Sequence, residues 1–300
     1  MTISVWKQVQ NEMNQSYDLR AQLFDKISKN FENRYVISFY TRFGSKAAIN
    51  EADAQMLTNM LSGSLKTKKH KLLLVINSPG GDPLAAEKII KVLAEYSEND
   101  YWVLIPGVAK SAATMISLGS SRIILSPVSE LGPIDLQIAR GERLIPAYSI
   151  ITAYDNLMKR GIDLGEKKRI EPILQQLQEF NPAEIEVYRQ INELASDIAI
   201  KVLKKGMLKK LNKEKIKKMI KIFIDPAESK VHGRPIFYSD IKDIKDIKDI
   251  DKDNKFNLQL IQTDDPKWKA IIEYHTRVES HFAATDIQKL LESDEGSFRV

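Results

Sequence analysis

At 300 residues with 43% hydrophobic side chains, the chain is long enough for one large domain with added helices and has ample material for a buried interior. A formal charge of +5 is too modest to name a partner, and zero cysteines exclude disulfides, thiolate metal sites and a cysteine nucleophile. No run of about eighteen apolar residues occurs, and the opening MTISVWKQVQNEMNQ has neither the basic start nor the apolar stretch of a secretory leader, so the expected location is the cytoplasm.

A short N-terminal segment, residues 1–32, is expected to be helical. From about Asn33 the apolar residues fall into short dense runs, YVISFY, KLLLVIN, YWVLIPG and RIILSP, each the length of a buried strand and separated by helix-length segments. That alternation predicts an α/β layer structure over residues 33–147, with strands covered on both faces. After the second run the loop SPGGD feeds a helix with Asp82 as N-cap, Pro83 at the first position and an apolar stripe through Leu84, Ile89, Ile90 and Leu93. After the third, VAKSAATMI reads as a strand end and turn leading into a second helix at Ser111.

Beyond Tyr148 long amphipathic patterns predict a helical part over residues 148–239, with one helix opened by Asn181, Pro182 and Glu184. Lysines crowd between Lys201 and Lys221. They suit either an anionic lipid or nucleic-acid surface or a solvated helix face, and the lack of interleaved aromatics favours the solvated face. Residues 240–257 hold the tract IKDIKDIKDIDKD, whose three-residue period drifts around a helix and predicts a low-complexity spacer. The last part, 258–300, is expected to carry a helix from Asp265 and Pro266 towards Leu291.

Several residues invite a chemical reading. Gly80 and Gly81 follow a buried strand and leave backbone N–H groups uncovered, which suits an oxyanion, although a plain turn is the simpler explanation of the pair. Neither a P-loop nor a dinucleotide fingerprint is present. Ser111 opens a helix, where serine is an ordinary N-cap; to act as a nucleophile it needs a base and an orienting group. Of the four histidines, His70, His275 and His281 read as surface or packing residues, whereas His232, in KVHGRPI, lies in a turn-like segment. Asp135, in LGPIDLQ, is a lone acid among apolar neighbours, with helix capping as its ordinary role. No metal-ligand pattern occurs, and no cofactor or metal is expected.

The segments LLLVINSPGGDPLAAEKII, VAKSAATMISLGSSRIILSPVSELGPIDLQ and VHGRPI together resemble the serine dehydrogenase proteinase family, serine peptidases related to the Clp proteolytic subunit within the Clp/crotonase superfamily; the similarity runs from about Arg34 to Ser239. The resemblance implies a Clp/crotonase-like core of repeated ββα units with a helical C-terminal half. It implies a triad of Ser111 as nucleophile, His232 as base and Asp135 as orienter, and an oxyanion hole from the Gly80/Gly81 turn and the Ala112 N–H. Relatives that pair serine with lysine leave Lys168 as an alternative base; Lys110, next to the serine, is expected to point elsewhere. A polypeptide substrate and a homo-oligomer are implied, with no nucleic-acid partner and no sequence support for peripheral membrane association. Two rival readings are a catalytically silent oligomeric scaffold of the same fold and a crotonase-type acyl-thioester enzyme, for which no adenine-nucleotide pocket is marked.

Overall fold

The four dense apolar runs become parallel strands because their side chains are apolar on both faces, and only a sheet covered on both sides buries them fully. The computed structural model describes residues 17–65, 70–140, 143–164, 170–225, 234–242 and 256–300. In chain order the first elements are α1 (Tyr17–Asn30), β1 (Tyr35–Thr41), α2 (Glu51–Leu65), β2 (Leu72–Asn77), α3 (Pro83–Ser97), β3 (Tyr101–Ile105), β4 (Val108–Ala109) and α4 (Ala112–Leu118). Next come β5 (Arg122–Leu125), β6 (Glu130–Leu131), β7 (Gln137–Arg140), β8 (Arg143–Pro146), α5 (Ala147–Leu164), α6 (Glu171–Leu177), α7 (Pro182–Lys205), α8 (Lys213–Met219) and α9 (Lys221–Ile224). The chain closes with β9 (Ile236–Phe237), α10 (Tyr238–Lys242), β10 (Leu258–Leu260), α11 (Pro266–Ala284), β11 (Lys289–Glu292) and β12 (Ser297–Arg299).

The main sheet has seven strands in the order β10-β5-β3-β2-β1-β11-β12, parallel from β10 to β1 and antiparallel beyond. Successive side chains point to opposite faces. Leu72, Leu74 and Ile76 therefore pack into a core with α2, α3, α4 and α7, while Leu73 and Val75 pack into a second core with α1 and α11. A small three-stranded sheet, β4-β6-β9, is joined to the end of β2 by a parallel bridge between Ser78 and Ala109. Two successive strand pairs, β3 with β4 and β5 with β6, each place one strand in the large sheet and one in the small sheet. The result is the expected α/β, Clp/crotonase-like arrangement, with a helical stretch from α5 to α9.

Caps fall where the sequence placed them: Asp82, Asn181 and Asp265 accept from the N–H groups of Leu84, Ala183 and Lys267. Two expectations need correction. Leu84 is not part of the buried stripe of α3; it is 54% exposed, and Ala85, Ala86, Ile89, Ile90 and Leu93 form the stripe. The final helix stops at Ala284 instead of running towards Leu291, because Lys289–Glu292 pairs antiparallel with β1 and buries Leu290 and Leu291. Of the IKD tract, Ile241 is buried and ends α10 with Lys242, and residues 243–255 lie outside the described residues.

The two ends of the chain are tied into this sheet by buried ion pairs. Arg20 of α1 meets Glu292 of β11 at 2.7 Å with both side chains fully buried, and Tyr274 of α11 donates its hydroxyl to the same carboxylate at 2.8 Å. Lys289 and Asp53 form a second buried pair at 2.8 Å between β11 and α2. Among the described residues no helix is long and apolar enough to cross a membrane.

Candidate active site

Ser111 stands between β4 and α4 with φ 49° and ψ −118°, a conformation that L residues adopt at a cost of about 1–3 kcal/mol. It occupies the N-cap position of α4, yet its hydroxyl makes no capping hydrogen bond. The ordinary role read from the sequence is thus not the one this serine performs. Ser111 lines a cleft of about 710 Å³ instead.

Two glycines make this turn possible by close approach. At Gly80, φ is +105°, and an added Cβ would fall 2.5 Å from the Lys110 carbonyl oxygen, 2.8 Å from Ser111 Cβ and 3.0 Å from the Ala112 nitrogen. At Gly81 an added Cβ would lie 2.3 Å from both the nitrogen and the carbonyl oxygen of Ile49. The Gly80 N–H is already engaged, donating to Ser78 Oγ at 3.1 Å, and Ser78 Oγ also meets Thr41 Oγ1 at 2.7 Å. Among the described residues no group accepts from the N–H of Gly81, which lines the same cleft, or of Ala112, the residue after the serine.

Asp135 lines the same cleft, is 7% exposed, and accepts from Gln137 Nε2 at 3.2 Å. It caps no described helix. Its loop is held by Ile134, whose N–H donates to the Phe223 carbonyl at 2.6 Å. Thr114, which the sequence reading passed over, braces the two arms of the site. Its Oγ1 lies 2.7 Å from the Ala109 carbonyl and 2.9 Å from that of Gly132, donating to one of them, and it accepts the Gly132 N–H at 3.2 Å. A small polar residue three positions after the serine is the only sequence signal for it.

The small sheet explains how these arms meet. β4 ends at Ala109, two residues before Ser111; its parallel neighbour β6 ends at Leu131, four residues before Asp135. The antiparallel neighbour β9 pairs Ile236 with Leu131. His232, four residues before Ile236, lies outside the described residues, as does Lys168. Lys110 does point elsewhere: its stem packs on Gly132 and its ammonium meets Glu130 at 2.7 Å.

Among the described residues no histidine lines the cleft. His275 sits instead in a separate cavity of about 500 Å³, with Thr41, Asn77, Gly107 and Glu279. Burial pushes its imidazole down to about 4, so it is neutral at pH 7, and its Nδ1 is buried without a partner. The cleft walls around Ser111 are mainly apolar, formed by Phe43, Met115, Ile134, Leu136, Ile191 and Leu194, with exposed Leu84 at the start of α3, and Asp82, Lys110 and Gln137 are the polar side chains that line it besides Ser111 and Asp135. Among the described residues no cluster of histidine, aspartate and glutamate is arranged to hold a metal ion.

Comparison with known proteins bears on residues of this region. A family model described as ClpP-like SDH-type serine proteinase matches residues 62–248. Two uncharacterized proteins of Methanocaldococcus jannaschii are similar over shorter stretches. MJ1495 is 38% identical over 81 residues, 27% of this chain and 26% of the relative, and MJ0137 is 33% identical over 97 residues, 32% of this chain and 31% of the relative. The matched stretches thus span a quarter to a third of these curated relatives. Among solved structures, a ClpP1 mutant from Listeria monocytogenes aligns with 80% of this chain and 99% of its own, at a TM-score of 0.39 and 14% identity.

Proposed function

Because the chain belongs to the ClpP-like SDH-type serine proteinases, we propose that it is a serine endopeptidase that hydrolyses peptide bonds through an acyl-enzyme formed on Ser111. The observation that carries this reading is the serine's backbone. A strained, uncapped residue between a strand and a helix costs stability, and this one lines a cleft together with Gly81 and directly precedes Ala112, whose N–H groups are both unengaged among the described residues. Those N–H groups, of Gly81 and Ala112, are the proposed oxyanion donors; the Gly80 N–H serves the turn through Ser78.

In the proposed reaction His232 takes the proton from Ser111 Oγ as that oxygen bonds to the peptide carbonyl carbon. The negative charge gathering on the carbonyl oxygen is met by the two N–H groups, and the imidazolium returns its proton to the leaving amine. Water then repeats the sequence on the acyl-enzyme, releasing the carboxylate product. Asp135 holds the imidazole tautomer and stabilises the imidazolium. Support for His232 comes from connectivity: the three segments bearing Ser111, Asp135 and His232 all adjoin β4, β6 and β9 of one small sheet, within two to four residues of it. Polypeptide is the proposed substrate and a homo-oligomer the proposed assembly, with exposed Met158, Ile162 and Leu174 of α5 and α6 as contact residues.

A fluorophosphonate probe tests the nucleophile. Labelling of the wild-type chain that disappears in Ser111→Ala is expected, and a folded wild-type chain that stays unlabelled would leave the scaffold reading in its place. His232→Ala is expected to suppress labelling while Lys168→Ala retains it; the reverse pattern would replace the triad with a serine-lysine pair.

A further inference from the structure

The lysine-rich tract is the strongest feature that the proposed chemistry leaves unused. Ten of the 21 residues from Lys201 to Lys221 are lysine and one, Glu214, is acidic, so the tract carries +9 against +5 for the whole chain. The structure puts every one of these lysines on the surface, at the end of α7, in the turn after it, along α8 and at the start of α9. Leu208, Leu211, Ile216, Met219 and Ile220 face the core, so no large apolar side chain is exposed among the lysines.

That composition selects the partner. A bilayer surface is usually gripped with exposed aliphatic or aromatic groups as well as charge, and single-stranded nucleic acid with aromatic stacking. The tract has no exposed group of the first kind and no aromatic residue. What remains is a Coulombic surface for anions, and because it adjoins a cleft proposed to take polypeptide, carboxylates are the anions it would meet. Helix α7 supplies Ile191 and Leu194 to the cleft wall, and at 1.5 Å per residue Lys201 to Lys205 lie roughly 10–17 Å further along its axis. Lys201 reaches back to Glu87 at 2.6 Å, one turn beyond cleft-lining Pro83 and Leu84 on α3.

Resting on the peptidase reading, we infer that this surface recruits acidic polypeptide, selecting substrates whose apolar segment is flanked by carboxylates within about five residues. An extended five-residue flank spans about 17 Å, which matches the distance along α7 from cleft-lining Leu194 to Lys205.

The test uses two fluorogenic peptides with the same apolar centre, one flanked by five glutamates and the other by five glutamines. At about 0.02 M salt the acidic peptide is expected to show roughly tenfold higher kcat/KM at unchanged kcat, with the preference lost at about 0.3 M. Changing Lys205, Lys209, Lys213 and Lys217 together to glutamate should invert the preference while fluorophosphonate labelling of Ser111 and the thermal midpoint stay as in wild type. Equal kcat/KM for both peptides at low salt overturns the inference. Fluorescence anisotropy with the Ser111→Ala chain separates this outcome from failure of the peptidase reading, because binding of the glutamate-flanked peptide needs no turnover. Tighter binding to phosphatidylglycerol vesicles or duplex DNA than to that peptide would also overturn it.

Discussion

Replacing Gly80 by alanine tests the site geometry most directly. The new Cβ would press on the Lys110 carbonyl at 2.5 Å, Ser111 Cβ at 2.8 Å and the Ala112 nitrogen at 3.0 Å. Unstrained carbon contacts lie at about 3.5–4.0 Å, so the segment from Lys110 to Ala112 must retreat by roughly 1 Å. A displacement of that size at a nucleophile and its oxyanion donor costs about 100-fold in rate. The positive φ of +105° adds strain, for a stability loss of about 1–3 kcal/mol. Gly63 provides the control: it is exposed on α2, and an added Cβ meets nothing within 4 Å. There alanine should raise stability by about 0.5–1 kcal/mol and leave the serine's reactivity alone. The assay is the second-order rate of fluorophosphonate labelling, run beside urea denaturation of the same samples. A folded Gly80→Ala chain labelled at close to the wild-type rate would refute the argument that Gly80 sets the position of Ser111.

Three further outcomes are expected. Ser111→Gly relieves the backbone strain that Ser111→Ala retains, so the glycine variant should be the more stable by about 1 kcal/mol after glycine's entropy cost, with neither labelled; equal stabilities would remove the strain argument. Arg20→Ala leaves Glu292 charged and buried, and denaturant melts should show a loss of about 3–5 kcal/mol; a loss below about 1 kcal/mol would show that the pair does not hold the chain ends together. Burial lowers the imidazole of His275 from its ordinary 6.5 to about 4, so in that window the unfolded chain binds a proton that the folded chain excludes. Stability from this residue is therefore complete above about pH 6.5 and falls, by at most about 3 kcal/mol, as pH drops towards 4. Urea melts of His275→Leu should lack this component, and an unchanged pH slope would reject it.

Much of the fold was legible because its signals are local. YVISFY, LLLVIN, YWVLI and RIIL are apolar on both faces and became strands covered on both sides, and the pairs Asp82-Pro83, Asn181-Pro182 and Asp265-Pro266 each opened a helix. Local pattern also located Ser111 and the glycine turn. It could not show that Leu84 leaves the buried stripe to stand exposed at the cleft, because one face of a helix does not reveal where its neighbours end. Nor could it show β11, whose LL pair reads equally as the end of a helix until β1 offers its edge.

By itself, the sequence determined the α/β layering, the helix starts, the lysine-rich tract and the family resemblance, since each rests on residue type and spacing along a few turns of chain. Only the tertiary structure decided that Ser111 is uncapped and strained, that Gly80 spends its N–H on Ser78, and that Ser111 and Asp135 line one cleft. The physical reason is the small sheet that aligns them. Its strands β4, β6 and β9 are two residues long, too short to carry any periodicity, and they exist only because distant segments supply their hydrogen-bond partners.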